Sequence, residues 1–292
     1  MGVGWGAWCI LGEMVSMPEG IVNRMKCRGW LGGGLVGWMV LCCAGVWAQD
    51  AKDVVTQMVA REDLAAAHRE HFFYVATERS DRTGGHLWQE RVAETSAGKV
   101  RFLIAEDGHA LSAERVAGER GRLAGIVADP TGFAKAEAAK KNDEDKAKAM
   151  LDLLPKAFEL DNERREGGMI LVDFKPDPGY RTQSMEEKVL HGMAGTVTID
   201  AEAMRLHHIE AKMPQDVSVG FGLASVHAGS SFETVRDLVS PGQWKTALVN
   251  TQIDGKALLF KTLGKNEHVE RTEFKLLPFG MSVAEAVALV EQ

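Results

Sequence analysis

The histidines of the sequence are the first candidates for chemistry. His68 and His71 have a spacing at which two side chains can share one metal ion. The carboxylate that follows the first histidine in zinc proteases is missing, because Glu70 adjoins the second histidine instead. His207 and His208 are adjacent in a predicted strand, where successive side chains point to opposite faces. The sequence therefore predicts no metal site and no cofactor.

Catalysis by a nucleophile or by paired acids has no recognisable pattern in this chain. The G-x-S-x-G motif, which places a catalytic serine on a sharp turn in many hydrolases, does not occur. A Ser-His-Asp group needs only to meet in space, and so do two catalytic carboxylates. We therefore predict that the protein is not an enzyme, and a hydrolase with a dispersed site stays open as the second alternative.

Large apolar residues recur inside the predicted strands, and two interpretations are open. They can fill an ordinary core, or they can line an apolar ligand cavity that a curved sheet encloses. Side chains alternate along a strand, so only one face of each strand would supply the lining. The residues that we expect to line this cavity are Trp88, Phe102, Phe174, Val197, Ile199 and Phe260.

The elements that would position these residues follow two periodicities. Residues 51–69 repeat apolar side chains at helical spacing. Alternating strand patterns then follow one another, separated by turn signals at 84–85, 97–98 and 107–108. The Asp254-Gly255 pair predicts a further two-residue hairpin between two strands.

Further helices are predicted inside and after this meander. An Ala/Lys/Glu-rich insertion at about 112–154 is predicted to be helical. Residues 180–192 are predicted to form a long loop, and residues 283–290 a short closing helix. Strands and helices do not alternate, which disfavours a parallel sheet. We therefore expect one mainly antiparallel β domain with helices over 49–292.

Composition limits the classes of partner. The 292 residues are 45% hydrophobic and 26% charged, which are ordinary values for a globular protein. The net charge of −7 repels the phosphates of nucleic acids, so nucleic-acid binding is not expected.

The N-terminal 48 residues resemble an export signal preceded by extra sequence. Lys26 and Arg28 precede an uncharged stretch at 29–47, and Val46 and Ala48 occupy the recognition positions before a cut. We expect a signal peptide at 25–48, translation from Met25, and a product in the periplasm or cell envelope. An uncleaved helical anchor is the alternative. All four cysteines precede the cut, so the exported part holds no disulfide.

The order of elements resembles the LolA/LolB-like family of lipoprotein carriers. The resemblance spans roughly 68–277, and the segments 174–178, 187–200 and 206–210 are similar to outer-membrane lipoprotein-sorting relatives. There a G-x-V-x-I-D strand, here 195–200, precedes a second strand of the sheet. The resemblance implies a curved half-barrel under helices, with an apolar cavity for acyl chains. The charged helices at 112–160 depart from the carriers, and no carrier-specific cavity residue has a match.

Three hypotheses about function follow. The first is an envelope carrier or binding protein for lipid or lipoprotein acyl chains. The second is an envelope module that binds another protein and is not an enzyme, for which a filled core with an exposed apolar patch would be typical. The third is the hydrolase with a dispersed site.

Export makes a testable prediction about the N-terminus. Cleavage is expected between Ala48 and Gln49, because the Val-x-Ala site follows the apolar stretch. N-terminal sequencing of the exported protein checks it. An intact N-terminus recovered from the membrane fraction would contradict cleavage and favour the anchor.

Overall fold

The described part of the chain contains six helices. The computed structural model describes residues 50–139, 142–219, 224–257, 261–262 and 265–292. The helices are α1 (Ala51–Ala66), α2 (Ala113–Ala128), α3 (Pro130–Ala139), α4 (Asn142–Ala157), α5 (Met185–His191) and α6 (Val283–Val290). None of these six is both long and apolar enough to cross a membrane. The candidate signal segment lies outside the described residues.

Fifteen strands form two sheets in the described ranges. They are β1 (Phe72–Arg79), β2 (Trp88–Thr95), β3 (Gly98–Glu106), β4 (His109–Ala110), β5 (Phe158–Glu166), β6 (Met169–Pro176), β7 (Ala194–Asp200), β8 (Arg205–Lys212), β9 (Val217–Val219), β10 (Ala224–Val226), β11 (Ser231–Ser240), β12 (Gln243–Ile253), β13 (Gly255–Ala257), β14 (Lys261–Thr262) and β15 (Lys265–Leu276). The large sheet has the order β4-β3-β2-β1-β15-β12-β11-β8-β7-β6-β5, and the small one β14-β13-β10-β9. The predicted fold class is confirmed, because the large sheet is antiparallel, open and accompanied by several helices.

The turns of the first strands form where the glycine pairs predicted them. Between β3 and β4, Asp107 and Gly108 both have positive φ angles, of 50° and 79°. Two consecutive residues of this kind form the tight hairpin turn that matches the twist of the flanking strands.

The predicted hairpin at Asp254-Gly255 is wrong. β12 ends at Ile253 in the large sheet, whereas β13 starts at Gly255 in the small sheet. There Gly255 pairs with Val226 of β10. The pair therefore carries the chain from one sheet to the other, which a local turn signal does not reveal.

The predicted loop at 180–192 contains a helix. α5 begins after Ser184, whose hydroxyl accepts a hydrogen bond from the backbone N–H of Glu187 at 3.0 Å. The sequence signal for this helix is a serine followed three residues later by a glutamate. The seven-residue helix is too short for its apolar spacing to stand out.

Register defines an inner and an outer face of the large sheet. Directly paired residues of antiparallel strands project to the same face, so one row of side chains can be followed across neighbouring strands. We call the face that carries this row the inner face, and the opposite one the outer face. The row consists of Val172, Val197, Ile209, Thr234, Val249, Val269, Glu78 and Trp88.

Helices cover different faces at the two ends of the sheet. Helix α1 and α4 pack over β5–β8 on the inner face, where Val54, Val55 and Met58 of α1 are fully buried. At the other end α2, α3 and α6 pack against β2 and β3. Phe102 contributes to this second core, and it pairs with Arg91 on the outer face.

The sheet curls toward its inner face near β12. β15 lies between β12 and β1, yet the first residues of β12 contact the beginning of β1. The Gln243 side chain bonds His68 O and Glu70 N, at 3.2 and 3.3 Å. Lys245 Nζ lies 2.7 Å from Glu94 of β2. Such contacts across an intervening strand require that the β11–β12 hairpin bend over the inner face.

The packing of α1 gives a prediction about stability. Met58→Ala should lower the free energy of unfolding by about 2–5 kcal/mol, because it leaves a cavity at a fully buried site. Leu64→Ala on the same helix, where the side chain is 64% exposed, should stay within about 0.5 kcal/mol. Urea denaturation of the two variants measures both. Equal losses of free energy of unfolding in the two variants would contradict the described packing of α1 on the sheet.

Candidate ligand-binding face

The inner face is apolar at one end and charged at the other. Val172, Val197 and Ile209 are buried under α1. The same row then passes through Thr234 and Val249, which are half-buried. It continues to Val269 and ends at Glu78 and Trp88. A molecule on this face would meet an apolar strip that leads to charged groups.

The apolar end contains three of the predicted site residues. Phe174, Val197 and Ile199 lie in one buried cluster with α1. Phe174 pairs with Gly195, where a Cβ atom would lie 1.9 Å from the carbonyl oxygen of Glu210. Only glycine permits this close approach of β7 and β8, which keeps the face under α1 continuous.

One buried ionic group holds α1 on this face. Glu62 Oε1 accepts a hydrogen bond from Arg205 Nε of β8 at 2.7 Å and from Leu206 N at 3.1 Å. Its second oxygen, Oε2, contacts Arg236 of β11. Burial raises the pKa of Glu62, but hydrogen bonds and charge from Arg205 and Arg236 outweigh it, so the pKa is lowered. The carboxylate therefore stays charged and ties α1 to two strands.

A second ionic network forms the charged end. The Arg82 guanidinium lies between Glu78 and Glu90, with Nη2 at 2.5 and 2.6 Å from one oxygen of each. Both carboxylates are buried, and Arg101 adds a contact to Glu90 at 3.3 Å. Burial raises the pKa of Glu78, but hydrogen bonds from Arg82 and Ser80 lower it further than burial raises it. Arg82 therefore joins the two buried carboxylates in one ion-paired group.

Aromatic rings lie beneath two more cations of the inner face. Phe72 and Tyr74 of β1 pack against Phe274, with centroid distances of 6.4 and 5.4 Å. Lys245 Nζ lies 4.8 Å from the centre of the Phe72 ring. The Arg271 guanidinium lies 6.0 Å from the centre of the Tyr74 ring. Rings of this kind favour a cation above their face.

The five predicted lining residues in the described ranges do not share one cavity. Trp88 is half-exposed at the charged end and donates its Nε1–H to Glu106 at 2.8 Å. Phe102 is buried on the outer face, because helices cover that face at its end of the sheet. Phe260 lies outside the described residues. Phe174, Val197 and Ile199 remain together, and their role in ligand binding stays a prediction.

The histidine candidates are scattered. In the described ranges no three His, Asp or Glu side chains come together in a way that could hold a metal ion. His207 Nδ1 contacts Arg236 O at 2.9 Å, whereas His208 Nε2 contacts Glu233 at 3.2 Å. The two neighbours therefore have separate partners.

Sequence reasoning missed Glu62 and Arg271. Glu62 is a charged residue on the face of a helix that otherwise buries apolar side chains. Its only sequence signal is its position four residues after Met58. Arg271 has a clearer signal, since it lies two residues after Val269 and must share its face. The partners of both come from distant strands, which local patterns do not identify.

A shallow groove lies elsewhere, against α6. It has a volume of about 400 Å³ and is lined by Pro278, Phe279, Met281 and Leu289, among others. The Phe279 side chain is fully exposed at its rim. Met281 and Leu289 join this groove to the outer-face core under α6.

Comparison with known proteins yields one weak likeness of fold. No protein-family model matches the sequence, and no curated protein matches it. Among solved structures it is similar to a domain from Vibrio parahaemolyticus assigned to outer membrane lipoprotein sorting. The alignment covers 82% of this chain and 100% of that one, at 6% identity and a TM-score of 0.30. The resemblance to LolA/LolB-like carriers is supported only at this level, and no residue role is carried over.

The lowered pKa of Glu78 predicts a pH-dependent contribution to stability. A carboxyl group whose pKa is lower in the folded state stabilises above its unfolded value and loses this effect as the pH falls. Glu78→Gln should therefore be about 1–3 kcal/mol less stable than the wild type at pH 7. The difference should shrink below the ordinary value of 4.5.

The matched control is Glu270→Gln on the neighbouring strand β15. Its side chain is 56% exposed, so a change within about 0.5 kcal/mol is expected at every pH. Urea denaturation at several pH values between 3 and 7 gives both curves. A Glu78→Gln deficit that does not vary with pH would contradict the assignment.

Proposed function

We propose that the chain is an exported binding protein that carries apolar ligands, such as acyl chains, on its inner face and catalyses no reaction. The observation that carries the proposal is the apolar strip itself. It is buried under α1 and α4 at one end and half-buried at β11 and β12 further along. A curved sheet with such a strip offers burial without fixed polar partners, which suits a flexible hydrocarbon chain.

Binding would proceed by replacement of α1. A chain of about sixteen carbons offers roughly 12 kcal/mol of burial, at about 0.8 kcal/mol per CH₂. The three buried side chains Val54, Val55 and Met58 contribute roughly 5–9 kcal/mol on the same scale. The ligand can therefore compete with the helix for the face. The difference between these two burial free energies is available to break the contacts of Glu62 with Arg205 and Arg236.

The cell envelope is the proposed site of action. The support is the export signal at 25–48, which lies outside the described residues. The exported part lacks cysteine, so its stability depends on packing and on the buried ion pairs. A lipid or lipoprotein of the envelope is the proposed partner.

A second candidate is a module that binds another envelope protein. The observation in its favour is the exposed Phe279 beside the groove on α6. An exposed aromatic residue next to an apolar groove is a common feature of protein-binding sites. The groove is smaller than the inner face and is separate from it.

Weakening the hold on α1 should strengthen ligand binding. In Glu62→Gln the buried ion pairs are lost, the state with α1 displaced becomes more populated, and the apparent Kd for a fluorescent fatty acid should fall about tenfold. The matched control is Asp63→Asn, whose carboxylate is 48% exposed and pairs with Lys148 on the surface. It should leave the Kd unchanged.

Fluorescence titration of the wild type and both variants measures the Kd for the fluorescent fatty acid. Circular dichroism confirms that each variant is folded. A wild type that binds no probe at micromolar concentration would overturn the carrier proposal. Equal affinities of folded wild type and Glu62→Gln would overturn the replacement of α1.

A further inference from the structure

The cations of the inner face differ in their partners. Arg82 and Arg101 contact Glu78 and Glu90, and Lys245 contacts Glu94. Arg271 belongs to the same region, but it makes no ion pair with a carboxylate among the described residues. Its Nη1 donates to the carbonyl oxygen of Thr246 at 3.0 Å, and its central carbon lies 6.0 Å from the centre of the Tyr74 ring.

Arg271 lies where the apolar strip meets the charged end. It pairs with Ala76 of β1, and two residues earlier Val269 pairs with Glu78. Residues two apart on a strand share a face, so Arg271 and Val269 are neighbours on the inner face. Val269 in turn pairs with Val249 of the half-open middle strands. A chain that lies along this strip would therefore end beside the Arg271 guanidinium.

We propose that Arg271 binds the anionic head group of an acidic amphiphile whose hydrocarbon chain lies on the apolar strip. This inference rests on the proposed function, and it specifies the class of ligand. A guanidinium offers five N–H donors in a planar fork that matches a carboxylate or a phosphate. The contacts to Thr246 and Tyr74 hold the group in place before the ligand arrives, which lowers the entropy lost on binding.

The pairing of charges in the region favours an anion. Arg82 and Arg101 contact Glu78 and Glu90, and Lys245 contacts Glu94. Glu106, which pairs with Trp88 on the same face, is bound by Trp88 and Arg115. Arg271 is half-buried and has no carboxylate partner in the described part of the chain. A half-buried cation gains more from an incoming anion than one in bulk water, because the local dielectric constant is lower.

The test compares ligands that differ only in the head group. Displacement of the uncharged probe N-phenyl-1-naphthylamine gives the affinities for laurate, for lauroyl lysophosphatidic acid and for 1-dodecanol. The wild type should bind laurate about tenfold more tightly than dodecanol, because a hydrogen bond to a charged group is added. The lysophosphatidic acid arm tells whether a phosphate is preferred to a carboxylate.

Three variants separate the role of Arg271 from general charge. Arg271→Gln should abolish the preference for laurate over dodecanol and leave the affinity for dodecanol unchanged. Arg271→Lys should keep part of the preference. Lys275→Gln removes a cation that lies over Phe73, and Phe73 belongs to the outer-face core. It should keep the full preference.

Each outcome decides one of the two proposals. A preference that persists in folded Arg271→Gln overturns the head-group role, while continued binding of dodecanol upholds the apolar strip. Equal affinity of the wild type for laurate and dodecanol also overturns the head-group role of Arg271. A wild type that binds neither the probe nor any of the three ligands overturns the carrier function, and the head-group role with it.

Discussion

The antiparallel register that continues through eleven strands is the constraint on which the rest of the structure depends. Register decides which side chains reach the inner face, since a shift by one residue would exchange the two faces of a strand. It places one row of side chains across β6, β7, β8, β11, β12, β15, β1 and β2. In the described residues, α1 and α4 bury this row at the β5–β8 end. Thr234 and Val249 of the middle strands are half-buried.

The two ionic networks have opposite relations to this face. Glu62 joins a helix to the sheet, so its contacts are lost when the helix leaves. The network of Arg82 lies within the sheet and its adjoining turn, and it stays in place whether or not α1 moves. The inner face therefore has apolar side chains at its β6–β8 end and charged side chains at its β1–β2 end.

Much of the fold could be predicted from the sequence, because its signals are local. The first three strands, the turn at Asp107-Gly108 and the closing helix formed where they were expected. The face of the sheet that the helices cover at each end could not be predicted. Phe102 and Phe174 each follow a charged residue in a strand, yet helices cover opposite faces at their two ends of the sheet. Asp254-Gly255 failed as a hairpin signal for a related reason, since the choice between sheets depends on distant strands.

The position of β15 has a consequence for how the protein is made. This last strand lies in the middle of the large sheet, between β1 and β12. The pairing of β1 with β15 joins residues 72–79 to residues 268–276, so almost the whole chain must be synthesised before the two halves meet. Until then the edges of β1 and β12 are unpaired, and such edges associate readily with other chains. A chain that crosses a membrane with its N-terminus first would need protection of these edges by a chaperone until its end emerges.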